Sequence, residues 1–209
     1  MKVALERVAP MDIEARSFEI IESELKHPLD PRTAPIVKRV IHTTADFDYA
    51  DNLFISEDAV DAALQALREG TVIVTDTTMA MAGINKGALG RWGGEARCFI
   101  AEPDVAAEAA RRGVTRSLVS MERAAAIDRP LILAIGNAPT ALIRACELID
   151  GGRLCPRLVI GAPVGFVNVT ASKELLMQTD VPQIVARGRK GGSNVAAAIC
   201  NALIYMLGR

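Results

Sequence analysis

The stretch Val37-Lys38-Arg39-Val40-Ile41-His42-Thr43-Thr44-Ala45-Asp46 holds one of only two histidines in the chain. Two cations stand shortly before His42 and two hydroxyls directly follow it. An unperturbed imidazole titrates near pH ~6.5, so it can give and take a proton near neutrality. His42 is therefore the candidate catalytic acid and base. On pattern alone a hydrogen-bonded structural histidine is an equal alternative. His27 precedes Pro28, where a helix must end, and reads as a surface terminator.

A second candidate is Arg187-Gly188-Arg189-Lys190-Gly191-Gly192-Ser193-Asn194, which places three cations and three glycines ahead of a helix. Free N–H groups and the helix dipole favour an anion there. Phosphate and carboxylate fit equally well. The spacing is not that of a P-loop, and no G-x-G-x-x-G follows a strand. Two more turns contain glycine: Gly136-Asn137-Ala138-Pro139-Thr140, and Gly161-Ala162-Pro163-Val164-Gly165-Phe166-Val167-Asn168. Gly136 and Gly161 either serve a ligand or only turn the chain. Asp46, Asp48 and Asp51 read as turn and cap residues rather than metal ligands. Cys98, Cys146, Cys155 and Cys200 form no C-x-x-C pair and no zinc spacing. They read as free thiols used as small core residues, and no metal site is expected.

These residues need a scaffold that brings them together. Helices are expected over residues 11–25 and from about 33 to His42, with Ile36, Val37, Val40 and Ile41 as the apolar face of the second. Lys38 and Arg39 by themselves read as its solvated face. Residues 52–55 read as a short strand and 59–69 as a helix. Then a regular rhythm begins, with strands at 71–75, 97–101, 131–135, 158–160 and 183–186. Helical segments at 76–86, 104–112, 115–126, 140–149, 170–177 and 193–207 separate or follow them. Short apolar strands alternating with helices predict an α/β fold with a mostly parallel sheet covered on both faces. Ligands of such sheets bind beyond the carboxyl ends of the strands, where the glycine turns fall. The first two helices lie outside the alternation and are placed as an N-terminal cap over the active site. The glycine-dense segment 87–94 reads as a mobile loop.

With 209 residues, half of them apolar, the chain is expected to form a single domain over 1–209. Aromatics are scarce, so the core must be built from Ala, Val, Ile and Leu. A formal net charge of −1 argues against a nucleic-acid partner. Residues 1–10 lack the apolar core of a signal peptide, and no apolar run reaches the roughly 18 residues of a membrane span. A soluble, cytoplasmic protein without a membrane partner is expected.

Five segments together resemble the precorrin-8X methylmutase (precorrin isomerase) family of cobalamin biosynthesis. They are Arg16-Ser17-Phe18-Glu19-Ile20-Ile21, Val40-Ile41-His42-Thr43-Thr44-Ala45-Asp46, Gly136-Asn137-Ala138-Pro139-Thr140-Ala141-Leu142, Gly161-Ala162-Pro163-Val164-Gly165-Phe166-Val167 and Gly188-Arg189-Lys190-Gly191-Gly192-Ser193. The resemblance covers nearly the whole chain, in order. It implies a three-layer α/β/α homodimer without a cofactor, acting on a corrinoid tetrapyrrole. The implied reaction moves a methyl group from C-11 to C-12 of the macrocycle, giving hydrogenobyrinate or its cobalt-containing counterpart. By matching positions, His42 would be the proton donor and acceptor, and Ser17 and Arg39 would contact substrate. The wider substrate-binding set is then Arg16, Thr43, Asn137, Arg187, Arg189, Lys190, Gly191 and Ser193. Two other functions stay open on the residues alone: a carrier that sequesters the corrinoid without turnover, and an enzyme acting on a phosphate ester through the loop at 187–193.

Overall fold

The computed structural model describes residues 6–208. Helices α1 (Ile13–Glu24) and α2 (Ala34–Thr44) come first. Pro35 sits in the first turn of α2, where its missing N–H costs nothing. Ile36, Val37, Val40 and Ile41 form the buried face of α2. The helix stops at Ala45, which is left-handed (φ 52°) and donates its N–H to the Ile41 carbonyl. A short α3 (Tyr49–Asn52), strand β1 (Leu53–Ile55) and α4 (Ala59–Arg68) lead into β2 (Val72–Thr75). Then follow α5 (Thr78–Gly83), α6 (Lys86–Gly90), β3 (Glu95–Arg97), α7 (Pro103–Arg112) and α8 (Arg116–Ala124). The chain ends with β4 (Leu131–Ile135), α9 (Pro139–Asp150), β5 (Leu158–Gly161), α10 (Val169–Leu176), β6 (Gln183–Ala186) and α11 (Ser193–Met206).

The strands form one six-stranded sheet in the order β1-β6-β5-β4-β2-β3. Every pairing is parallel except β1 with β6, where Leu53 faces Ala186. Strands β2, β4, β5 and β6 are buried at every position, as expected of strands covered on both sides. Alternate residues divide between two cores. Ile73, Ile132, Ala134, Ile160 and Ile184 pack with α2, α4 and α11. Val74, Leu133, Ile135, Val159 and Val185 pack with α8, α9 and α10. The result is three layers, with α2 lying along α11 on one side of the sheet and α1 outside it. Strand order reverses between β2 and β4, the kind of position where α/β sheets open a ligand crevice. No described helix is long and apolar enough to cross a membrane.

Three expectations need correction. The third strand of the sheet lies at Glu95–Arg97, ahead of the expected 97–101, because Glu95 N–H already reaches the Thr71 carbonyl at 3.1 Å and opens the pairing there. The glycine-dense segment forms α6 rather than a mobile loop. Asn85 caps that helix by accepting the Ala88 N–H, and Leu89 is fully buried. The cysteines are only partly core residues. Cys146 and Cys200 are buried, and burial pushes both thiols up to about 12, whereas Cys98 is half-buried and Cys155 exposed.

Candidate active site

His42 lies in the last turn of α2 with its side chain exposed. The αL residue Ala45 bends the chain away just behind it and leaves the imidazole uncovered. Phe18 of α1 meets its ring edge-on, with centroids 5.6 Å apart. The other neighbour of Phe18 is Arg39, whose guanidinium lies 5.0 Å from the Phe18 ring and 5.1 Å from the ring of Tyr205. Arg39 also donates to Glu14 Oε1 at 2.5 Å, and its side chain is 14% exposed. Its buried Nε has no partner among the described residues. Arg39 also lines a cavity of about 410 Å³, together with Phe18, Pro35, Lys38, Tyr205 and Met206. An unmet buried donor costs roughly 1–3 kcal/mol.

The cations of the last loop sit at the opposite end of α11. Tyr205 lies twelve residues along this helix from Ser193, a rise of roughly 18 Å. The structure therefore does not gather Arg39 and the Arg187–Lys190 cluster around one point. His42 stands between them. Lys190 Nζ reaches Asp46 and Asp48 at 2.6 Å each, tying the loop to the turn just beyond His42. Those carboxylates hold the Lys190 amine well above its ordinary range. Lys190 thus serves as a strut in the structure, while Arg187 and Arg189 are exposed and make no ion pair among the described residues. Arg187 lies 4.9 Å from the Phe54 ring and Arg189 5.4 Å from that of Phe166. Asp46, Asp48 and Asp51 are turn and ion-pair residues, and no group of metal-ligating side chains occurs among the described residues.

The strand-end turns meet beside that loop. Ser193 shares a hydrogen bond of 2.7 Å with Thr77, the cap residue of α5. Gly192 N–H donates to the Ala162 carbonyl at 2.8 Å. A Cβ on Gly191 would lie 2.3 Å from Ala162 O, and one on Gly136 would lie 2.7 Å from Ser193 Cα. Both glycines are required by close approach of backbones. Gly161 differs, since its Cβ would meet the Leu176 side chain in the core at 2.8 Å, away from any ligand. Asp76 ends β2 at the switch point, buried, and its carboxylate accepts the N–H groups of Gly136, Asn137 and Ala138 at 2.6–2.8 Å. Burial pushes this carboxyl up from its usual range, and the three donors pull it back. Asn137 is fixed through its backbone and leaves its side chain exposed.

Other expected site residues are placed less centrally. Ser17 is half-buried on α1 and donates to the Ile13 carbonyl at 2.8 Å. Arg16 pairs with Glu6 and Glu19 on an exposed face. Thr43 is exposed beside His42. Lys38 is not solvated as expected: α1 covers its face, and Nζ reaches Glu22 Oε2 at 2.7 Å with the side chain only 19% exposed. Asp76, Thr77, Tyr205 and Glu14 went unmarked in the sequence. Only the Asp-Thr-Thr run after a strand hinted at the first two. A larger cavity, about 640 Å³, lies at the amino ends of β4 to β6 among Arg129, Cys155 and Arg157. It is at the wrong end of a parallel sheet, and neither His42 nor any of the glycine turns lines it.

A three-layer α/β enzyme with a histidine, a cation cluster and glycine turns near one edge of its sheet is the class this geometry defines. Comparison with known proteins makes it particular: the chain belongs to the precorrin-8X methylmutase family, whose profile matches residues 12–206. It is 46% identical over 208 residues to the cobalt-precorrin-8 methylmutase of Salmonella typhimurium, covering 95% of this chain and 96% of that one. It is 45% identical to the cobalt-precorrin-8 methylmutase of Priestia megaterium, covering 94% and 88%. The solved precorrin-8X methyl mutase of Thermus thermophilus superposes with a TM-score of 0.87 at 40% identity, covering 94% of this chain and 95% of that structure.

Proposed function

We propose that this protein is the isomerase that moves a methyl group from C-11 to C-12 of precorrin-8X, or of cobalt-precorrin-8, in cobalamin biosynthesis. The observation that carries the reading is the exposed His42, edge-on to Phe18 at the end of α2, with Arg39 one turn before it and the Lys190–Asp46 pair in the turn after it. Protonating the macrocycle beside the migrating carbon makes the ring electron-poor and eases the shift. The same imidazole then recovers the proton, so atoms and charge balance with no resident cofactor required. Arg39 on one side of His42, and Arg187 and Arg189 on the other, suit a wide polyacid whose carboxylate arms spread from a ring. The separation of the two cation groups favours a macrocycle over a small phosphate ester. Ser17, Thr43, Asn137 and Ser193 supply polar contacts, Gly191 lets the loops close together, and Arg16 is the outermost contributor.

The same reading makes the protein a cytoplasmic homodimer of a single domain. Phe166 and Val167 are 82% and 80% exposed beside the cationic loop, and a second chain would cover such apolar surface. A monomer by sedimentation at working concentration would remove that part. The test of function is incubation with precorrin-8X and with its cobalt form, followed by absorption spectra, since the shift changes the conjugated system. Wild type is expected to convert one or both. His42→Ala is expected to lose roughly 10²- to 10⁴-fold in rate. Full conversion by His42→Ala would refute the mechanism, and tight product binding without turnover by wild type would make the protein a carrier.

A further inference from the structure

Lys173 lies on α10 and is only 2% exposed, although lysine is rarely buried without a charged partner. Its Nζ donates to the carbonyls of Gly188 (2.8 Å) and Lys190 (2.7 Å), which are its only hydrogen-bond partners among the described residues. The carbonyl between them, Arg189 O, accepts the Gly165 N–H at 3.2 Å. Three successive carbonyls of the cationic loop thus turn inward toward α10 and the segment leading into it. The loop has little conformation of its own. Gly188 is left-handed (φ 72°), and Gly191 and Gly192 follow three and four residues later. An apolar side chain would fill the space under the loop at less desolvation cost, but it would leave two buried carbonyls without donors.

We infer that Lys173 is a positioning residue, whose buried side chain sets the backbone of the 187–192 loop so that Arg187 and Arg189 face the substrate's carboxylates. The inference rests on the reading above that this loop binds substrate. Burial pushes the Lys173 amine down to about 8, and its two carbonyl acceptors favour the charged form at neutral pH. The ammonium then adds a fixed positive charge beneath the exposed arginines. A role of this kind acts on binding more than on the proton transfer at His42.

The test compares Lys173→Met, Lys173→Arg, Arg187→Ala and Arg189→Ala in steady-state conversion of the corrinoid substrate at pH 7. Lys173→Met is expected to raise KM about ten-fold, with kcat changed far less. Lys173→Arg, which keeps charge and donors, should recover part of that loss. In the double variant with Arg189→Ala, Lys173→Met should add little to the KM increase. Amide exchange gives an independent readout: Gly165 and Gly192 should lose protection in Lys173→Met while β4 amides keep theirs. If Lys173→Met does not fold, Lys173→Gln replaces it with the same expected KM increase. A raised KM in Arg189→Ala with an unchanged KM in a folded Lys173 variant would overturn the inference and leave the loop reading standing. Unchanged KM in both Arg187→Ala and Arg189→Ala would overturn the loop reading itself, and the inference with it.

Discussion

Replacing Gly136 by alanine puts one methyl group where the turns after β4 and β6 meet. Its Cβ would lie 2.7 Å from Ser193 Cα, 2.8 Å from Gly192 O and 2.9 Å from Ser193 N. All three are backbone atoms, so no side chain can swing aside. Ordinary contact begins at 3.4 Å, so the two turns must separate by roughly half an ångström or more. Overpacking of this kind costs about 1–3 kcal/mol. For a chain of this length that corresponds to a Tm lower by roughly 2–12 °C. The displacement falls on Ser193 and, through the turn, on Asn137, both in the proposed substrate shell. A misplacement approaching 1 Å can cost on the order of 10²-fold in rate, so a five- to fifty-fold loss in kcat/KM is expected. Thermal unfolding by circular dichroism and conversion followed by absorbance would measure the two effects. A wild-type Tm would refute the packing argument. A lowered Tm with wild-type kcat/KM would keep the packing and remove Ser193 and Asn137 from the site.

Arg39→Ala should weaken substrate binding by about 1–3 kcal/mol, or roughly 5- to 150-fold in KM, if its guanidinium pairs with a desolvated carboxylate. Unchanged affinity in a folded variant would confine Arg39 to joining α1 and α2 through Glu14. Lys173 also leaves a signature in stability. Its folded pKa is pushed down to about 8 from 10.5, so between these values the unfolded chain binds more protons than the folded one. Stability contributed by this group therefore rises with pH across that window, by about 3 kcal/mol at most. Subtracting the Tm–pH curve of Lys173→Met from that of wild type should reveal the rise, and a flat difference would contradict it.

Much of the architecture was legible because it follows from local pattern. Strands buried on both faces must be apolar throughout, so β2, β4, β5 and β6 stand out, as do the helices between them. The third strand was placed too late because its position is set by register with β2, a nonlocal pairing that begins at Thr71 and Glu95. In segment 87–94 glycine content signals freedom, whereas the cap at Asn85 and burial of Leu89 decide the local structure. The cover of Lys38 is not legible in its own helix, because α1 comes from elsewhere in the sequence.

The sequence by itself determined the candidate acid–base, the cationic loop, the parallel α/β plan and the family resemblance, since these depend on residue type and short-range order. Only the tertiary structure decided which charges stay available. It places Asp46 and Asp48 against Lys190, Glu14 against Arg39 and two carbonyls against Lys173. It also sets Arg39 and the loop at opposite ends of α11, with His42 between. Such pairings join residues from 15 to 144 positions apart in the chain, as in Lys173 with Gly188 and Lys190 with Asp46. No local pattern encodes them, because they form only when the packed layers bring the strand ends and α2 together.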